Sequence, residues 1–326
     1  MILAGDIGGT NTRLAFFDGT IEHLKPHDIE VFPSPQYKGL GEIVQKYLAK
    51  HREHVEAACF GLPGAVVDGK VMTPNLPWLV DAGKLALELR LGRVELINDL
   101  FANAHGIAML QDSDFVVMNE GVPSPSGNRA LISAGTGLGE AGLLAEVGGY
   151  RPFPSEGGHV DFAPRNELEI ELLRHLMGRF GRVSYERVLS GPGLFNIYQF
   201  LRDTGRGEEP AWLAEEIKQG DPAAAVAKAG LAGKAEISVQ TLDIFVSIYG
   251  AEAGNLALKV VATGGVFIGG GIAPKIIKKL SGPAFMKSFS EKGRVSPMIR
   301  NIPVRVITND KTALLGAGRF AALQLT

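Results

Sequence analysis

The chain has 326 residues, 45% hydrophobic and 21% charged, an ordinary balance for a soluble globular protein and, by length, about two domains. Its formal net charge of −2 gives no overall pull toward nucleic acid or an anionic membrane. No apolar run nears the ~18 residues of a membrane span, and MILAGDIGG lacks the basic start and long apolar core of a signal peptide. The only cysteine, Cys59, excludes an internal disulfide and a multi-cysteine zinc site; a small core role for it and a reducing cytoplasm fit together.

The apolar runs MILA and LAFF read as strands around GDIGGTNTRLAFF (5–17). That turn carries more glycine and hydroxyl residues than a two-residue hairpin needs, as expected where something approaches the backbone closely. Segment 39–51 has helical apolar spacing, and 55–78 reads as strand, turn, short strand, turn, strand, with Asp68-Gly69 a tight turn. Segment 82–91 is helical, VELI (94–97) is a short buried strand, and NDLFANAHGIAML (98–110) is a helix with a good N-cap. A Pro/Ser/Gly-rich turn (121–128) precedes a second strand-turn-strand, RALISAGTGLGEAGLLAE (129–146). Then come helices over 167–177, 191–204, 210–220 and 221–230, and the longest over 235–262. Residues 260–280 run from strand through glycines into a helix, 302–310 is a last strand and 311–325 a last helix. The alternation predicts an α/β protein with mixed strand directions and no solenoid repeat.

DIGGTNTRLAFFD (6–18) and SAGTGLGEAGLLAE (133–146) share one plan, a glycine-threonine turn between apolar strands. Two such hairpins, one per domain, would turn backbone N–H groups and threonine hydroxyls toward a cleft, which makes phosphate the expected ligand. GLGEAG (137–142) also fits the dinucleotide fingerprint, and Glu156 and Asp161 lie near the required distance. The intervening AGLLAEVGGYRPFPSEGG has two glycine pairs and two prolines, which leaves no room for the crossover helix that fingerprint needs. GGVFIGGGI (264–272) is a third glycine loop, entering a helix whose start would seat an anion or nucleotide. Asp99, after VELI, reads first as an N-cap when taken alone. Glu156-x-x-His159 suggests a metal pair, but Gly157-Gly158 argue against a helix that would bring both to one face.

Together GDIGGTNTRLAFFD, LINDLFANAHGI (96–107), ISAGTGLGEAGLL (132–144), SEGGHVDFAP (155–164), RVSYERVLSGPGLFNIY (182–198) and GGVFIGGGIAPK (264–275) resemble bacterial ATP-dependent glucokinases of the non-ROK type. The match runs in order over nearly the whole chain; the combination is specific, although no single piece is. It implies an α/β fold of the sugar kinase/actin/Hsp70 type, with two ribonuclease-H-like domains flanking a cleft. The small domain would be 1–109 plus 308–326, and the large one 110–307 with helical insertions. The implied activity is transfer of the γ-phosphoryl group of ATP to the 6-hydroxyl of D-glucose, with Mg²⁺. This gives glucose 6-phosphate and ADP, the first step of glucose use in glycolysis.

The resemblance also implies roles. Asp99 is the base that takes the 6-hydroxyl proton, help typically worth ~10²–10⁴-fold. Asn98, Asp99, Glu156, His159 and Glu186 hold sugar hydroxyls. Gly8, Gly9, Thr10 and Asn11 form one phosphate loop and Gly135, Thr136 and Gly137 the other. Gly269, Gly270 and Gly271 sit near the base or ribose, and Asp6 orients magnesium through water. GLPGAV (61–66) helps wall the sugar side, Asn75 is a sugar contact or a turn residue, and Arg13, read as a surface charge or strand-end ion pair, is given no role. With Cys59 alone, the ROK group's cysteine-rich zinc motif is missing, and no helix-turn-helix precedes the first strand. The family is often a homodimer, though no interface stripe stands out; no nucleic acid or membrane partner is expected. The competing readings are a kinase for another hexose, a sugar- and nucleotide-binding regulator without turnover, and an actin-like ATPase. Asp99 argues against the regulator, and an actin-like ATPase would have no use for the sugar set.

Overall fold

Ala57–Leu62 is buried at all six positions, the pattern of a central strand covered on both faces. In the computed structural model, which describes residues 1–51, 53–74 and 76–325 (the Glu22 side chain apart), it lies inside a five-stranded sheet. The chain divides into two units, Met1–Asp112 with Asn309–Thr326, and Ser113–Thr308.

The first unit contains β1 (Ile2–Ile7), β2 (Asn11–Asp18), β3 (Lys25–Pro33), β4 (Ala57–Leu62), the small hairpin β5 (Lys70–Met72) and β6 (Leu79–Asp81), and β7 (Arg93–Asn98). Its main sheet has the order β3-β2-β1-β4-β7, antiparallel through β3-β2-β1 and parallel through β1-β4-β7. Helices α1 (Leu40–Leu48), α2 (Ala82–Leu89) and α3 (Asp99–Gly106) follow the strands. On α1, Leu40, Ile43, Val44 and Tyr47 are buried, a stripe at helical spacing that faces one side of the sheet. Strand alternation then divides the core: Leu3 and Phe16 join that side, while Ala4 and Phe17 join Cys59 under the C-terminal helix Thr312–Leu323. The C-terminal helix lies backbone to backbone against α3, since a Cβ on Gly316 would stand 1.7 Å from the Ala102 carbonyl oxygen.

The second unit contains β8 (Phe115–Asn119), β9 (Arg129–Ala134), β10 (Leu138–Glu146), β11 (Gly149–Ser155), β12 (Gly265–Gly269) and β13 (Val304–Ile307), in the order β11-β10-β9-β12-β13-β8. Strands β9, β10 and β11 form an antiparallel meander, and β12 runs parallel to β9 and β13. Its longer helices are α4 (Glu167–Phe180), α5 (Gly191–Asp203), α6 (Ala211–Gln219), α7 (Pro222–Leu231) and α8 (Glu236–Val260). No described helix is long and apolar enough to cross a membrane.

Most expected elements form within a few residues of their expected ends. Asp68 and Gly69 both take positive φ, 49° and 69°, as a two-residue hairpin turn requires. Two expectations change. The third strand expected within 55–78 forms at Leu79–Asp81, after Trp78. The glycine run after β12 does not open the helix directly but leads into a 3₁₀ turn, Ala273–Ile276, before the short helix Ile277–Leu280. Gly282 and Pro283, just past Leu280, end the helix there. The long strand Leu138–Glu146 directly after GTG confirms that no crossover helix follows those glycines.

Candidate active site

In the first unit the β1–β2 pairing sets Ile7 opposite Thr12 and Asp6 opposite Arg13, which leaves Gly8–Asn11 as the connecting loop. The Gly8 N–H donates to the Asn11 carbonyl at 2.9 Å, and the Ser34 N–H to the Thr10 carbonyl at 2.9 Å. The Ser34 hydroxyl donates to the Gly8 carbonyl at 2.7 Å and lies 3.0 Å from the Thr12 hydroxyl. Ser34 therefore holds two loop carbonyls, those of Gly8 and Thr10, the Gly8 N–H closes a third within the loop, and Thr10 and Asn11 are exposed. A loop with its carbonyls tied back presents the N–H edge that suits phosphate.

Asp6 lies one residue before the end of β1, near this loop. Burial pushes its carboxyl up to about 6; Arg13 opposes the shift, and the charges of Asp99 and Asp310 add to it. Arg13 in turn donates to the Asp310 backbone carbonyl at 2.6 Å and to its carboxylate at 2.9 Å. Arg13, given no role from the sequence, thus belongs to the charged group around Asp6, and Asp310 is a member that sequence reading missed. Counting the hairpin register out from the glycine turn would have found Arg13. No local signal marks Asp310.

Strand β7 delivers Asn98 and Asp99 to the start of α3. Asn98 is the N-cap: its side-chain oxygen accepts from the Leu100 and Phe101 N–H groups at 2.9 and 3.3 Å. Its amide donates to the Gly64 carbonyl at 3.2 Å, which ties the GLPGAV loop to the same point. Asp99 is the first helical residue and accepts from the Leu100 N–H at 2.8 Å. Capping is therefore the work of Asn98, and the helix N-terminus stabilises the Asp99 carboxylate. Asn75 lies outside the described residues.

In the second unit Gly135, Thr136 and Gly137 connect β9 to β10, closed by a 2.8 Å bond from the Gly135 N–H to the Gly137 carbonyl. The third glycine loop packs against them. Gly269 pairs with Ser133, and Gly270 has φ +84°, with a Cβ there 2.3 Å from the Ala134 carbonyl oxygen. The Glu186 carboxylate accepts from the Leu138 N–H at 3.0 Å and stands where a Cβ on Gly137 would be. Glu156 is the N-cap and His159 the last residue of a 3₁₀ turn, Gly157–His159, which brings Oε2 and Nε2 to 4.0 Å with both side chains exposed. The two glycines thus form a short turn that does bring the pair together. No third His, Cys, Asp or Glu completes a metal group with them among the described residues. The turn is tied to Glu186's segment by a 3.0 Å bond from the Tyr185 N–H to the Val160 carbonyl.

A family model described as Glucokinase matches residues 3–324. The chain belongs to the glucokinase family. The glucokinase of a Nostoc species is 42% identical, over 99% of this chain and 99% of that one. The glucokinase of a Synechocystis species is 41% identical, over 98% and 97%. The crystal structure of a glucokinase from an Antarctic psychrotroph superposes with a TM-score of 0.86 at 30% identity, covering 98% of each chain. A ROK-family glucokinase from Streptomyces griseus, solved with glucose and AMPPNP, shares the fold at TM-score 0.66 and 19% identity over 99% of each chain. The α/β architecture is accordingly the sugar kinase fold, and the chain is an ATP-dependent hexose kinase of the glucokinase family.

Proposed function

We propose the following division of labour for transfer of the γ-phosphoryl group of ATP to the 6-hydroxyl of D-glucose. Asp99 accepts the proton of the 6-hydroxyl as that oxygen attacks phosphorus. The observation that carries this reading is the place of Asp99, at the first position of α3 directly after β7 and close enough to Asp6 for its charge to push that carboxyl up. Asn98, Glu156, His159 and Glu186 take the other sugar hydroxyls, which both donate and accept and so match carboxylates, an amide and an imidazole. Gly8, Gly9, Thr10 and Asn11, with Gly135, Thr136 and Gly137, take the phosphates; Gly269, Gly270 and Gly271 lie by the base or ribose.

The carboxylates of Asp6, Asp99 and Asp310 outnumber the one guanidinium of Arg13, and Asp6 is held up to about 6. Hard oxygens with surplus negative charge suit Mg²⁺, which keeps several waters and binds through one or two carboxylates plus phosphates. Asp6 is the residue that would hold it, through water, and the ion would supply charge neutralisation on the transferring group. The working compartment is the cytoplasm.

The test is phosphoryl transfer from Mg-ATP to glucose, mannose, fructose, galactose, N-acetylglucosamine and no sugar, reading both ADP and sugar phosphate. Glucose-dependent formation of glucose 6-phosphate is expected, and Asp99→Asn should lower kcat by ~10²–10⁴-fold. An Asp99→Asn enzyme with near wild-type kcat would overturn the assignment of the base.

A further inference from the structure

Beneath the Glu156–His159 turn lies a buried acid that the reaction scheme does not use. Glu140 sits on β10, paired across the meander with Ser155 at the entry to the turn. It is 1% exposed, and neither of its carboxyl oxygens has a hydrogen-bond partner among the described residues. The turn rests directly on it: a Cβ on Gly157 would lie 1.9 Å from the Glu140 Oε2. The group facing Glu140 is the carboxyl of Glu252 on α8, which is fully buried. Glu252 is already an acceptor at both oxygens, from Lys259 Nζ at 2.9 Å and from the Asn255 amide at 2.8 Å. Two acceptors face each other in a buried pocket, and only a proton on Glu140 makes that arrangement favourable.

We propose that Glu140 is a positioning residue for the Glu156–His159 turn: neutral, it donates to Glu252 and seats the Gly157 backbone; ionised, it is repelled by Glu252 and unseats the turn. The inference rests on the assignment of Glu156 and His159 to glucose. Burial first, and the Glu252 charge second, push the Glu140 carboxyl up to about 8, with Lys259 pulling the other way. The proton is thus bound at neutral pH and leaves to solvent in mild alkali. The same hub reaches the second sugar segment, because the Asn255 amide also donates to the Tyr185 hydroxyl at 3.1 Å, one residue before Glu186. The other titratable groups facing the pair are Tyr249 and Lys259 on α8, Tyr185, Arg165 and Lys292. Lys292 is pushed down to about 8 by burial, so the test must separate it from Glu140.

Glu140→Gln does so, because it keeps an uncharged donor of the same shape and leaves Lys292 in place. In wild type the glucose KM, and the glucose Kd measured by calorimetry without nucleotide, should rise about tenfold from pH 7 to pH 9, with kcat changing less than twofold. In Glu140→Gln both should stay flat over that range at the wild-type pH 7 value. A flat wild-type profile, or the same rise in Glu140→Gln, overturns the proposal. Loss of glucose turnover and binding at every pH would count against the glucose assignment instead. The melting temperature would then still read the proton: wild type should lose ground to Glu140→Gln between pH 5 and pH 8, and parallel curves overturn the shared proton.

Discussion

Asp6 is costly to the fold at neutral pH. Its folded pKa, about 6, stands above the ordinary value of 3.8. Between about pH 4 and pH 6 the folded state therefore holds a proton that the unfolded chain has released. This contribution to stability is full below the unfolded pKa and is lost as pH rises through about 6. Asp6→Asn removes the charge and keeps the shape. Its thermal unfolding should show a gain on the order of 3 kcal/mol over wild type at pH 7–8, shrinking to nothing below pH 4, together with a large loss of kcat. Mg-nucleotide should narrow the gap by stabilising wild type more than the variant. A group kept at such cost is a mark of function over stability. The expectation of a role for Asp6 came from its motif. The environment of Asp6 was not legible there, because Asp310 arrives from the other end of the chain and leaves no trace in neighbouring residues.

At the scale of elements, the glycine hairpins and the capped start of α3 were readable because each is decided within a few residues, though Asn98 and not Asp99 is the cap. The unread strands share a position. Strands β3, β8 and β11 are the outer strands of their sheets, and their sequences KPHDIEVFP, FVVMN and GYRPFPS are broken by charge and proline or only half buried. Outer strands carry such residues to avoid pairing with other chains, and that same device erases the apolar alternation by which a strand is recognised. One buried side chain at the end of β3 shows what was lost. Ser34 holds the Gly8–Asn11 loop through the Gly8 carbonyl and the Thr12 hydroxyl. Ser34→Ala should cost about 1 kcal/mol of stability and raise the KM for ATP severalfold while the KM for glucose hardly moves. Equal changes in both would show a general loosening.

At the scale of the molecule, the first unit is discontinuous. Its sheet is covered on one face by a helix that returns after the second unit is complete. Six dispersed motifs implied a discontinuous small domain through resemblance; no residue pattern in 312–323 says which sheet the last helix joins. The contact is close enough to test with one substitution. Gly316→Val places a side chain 1.7 Å from the Ala102 carbonyl oxygen and should lower the melting temperature by at least 10 °C, several kcal/mol for a unit of this size. A melting temperature within 2 °C of wild type would show that the helices separate easily. The same layout orders events on the ribosome. Residues 1–112 emerge with one apolar face bare, and the helix that covers it follows only after residues 113–308 have been made. At ~5–20 residues per second that wait is roughly 10–40 s, long for a nascent sheet to stay uncovered. Premature termination inside the second unit therefore leaves a product with a permanently exposed apolar face, a ready handle for chaperones and proteases, so that quality control can tell finished chains from unfinished ones.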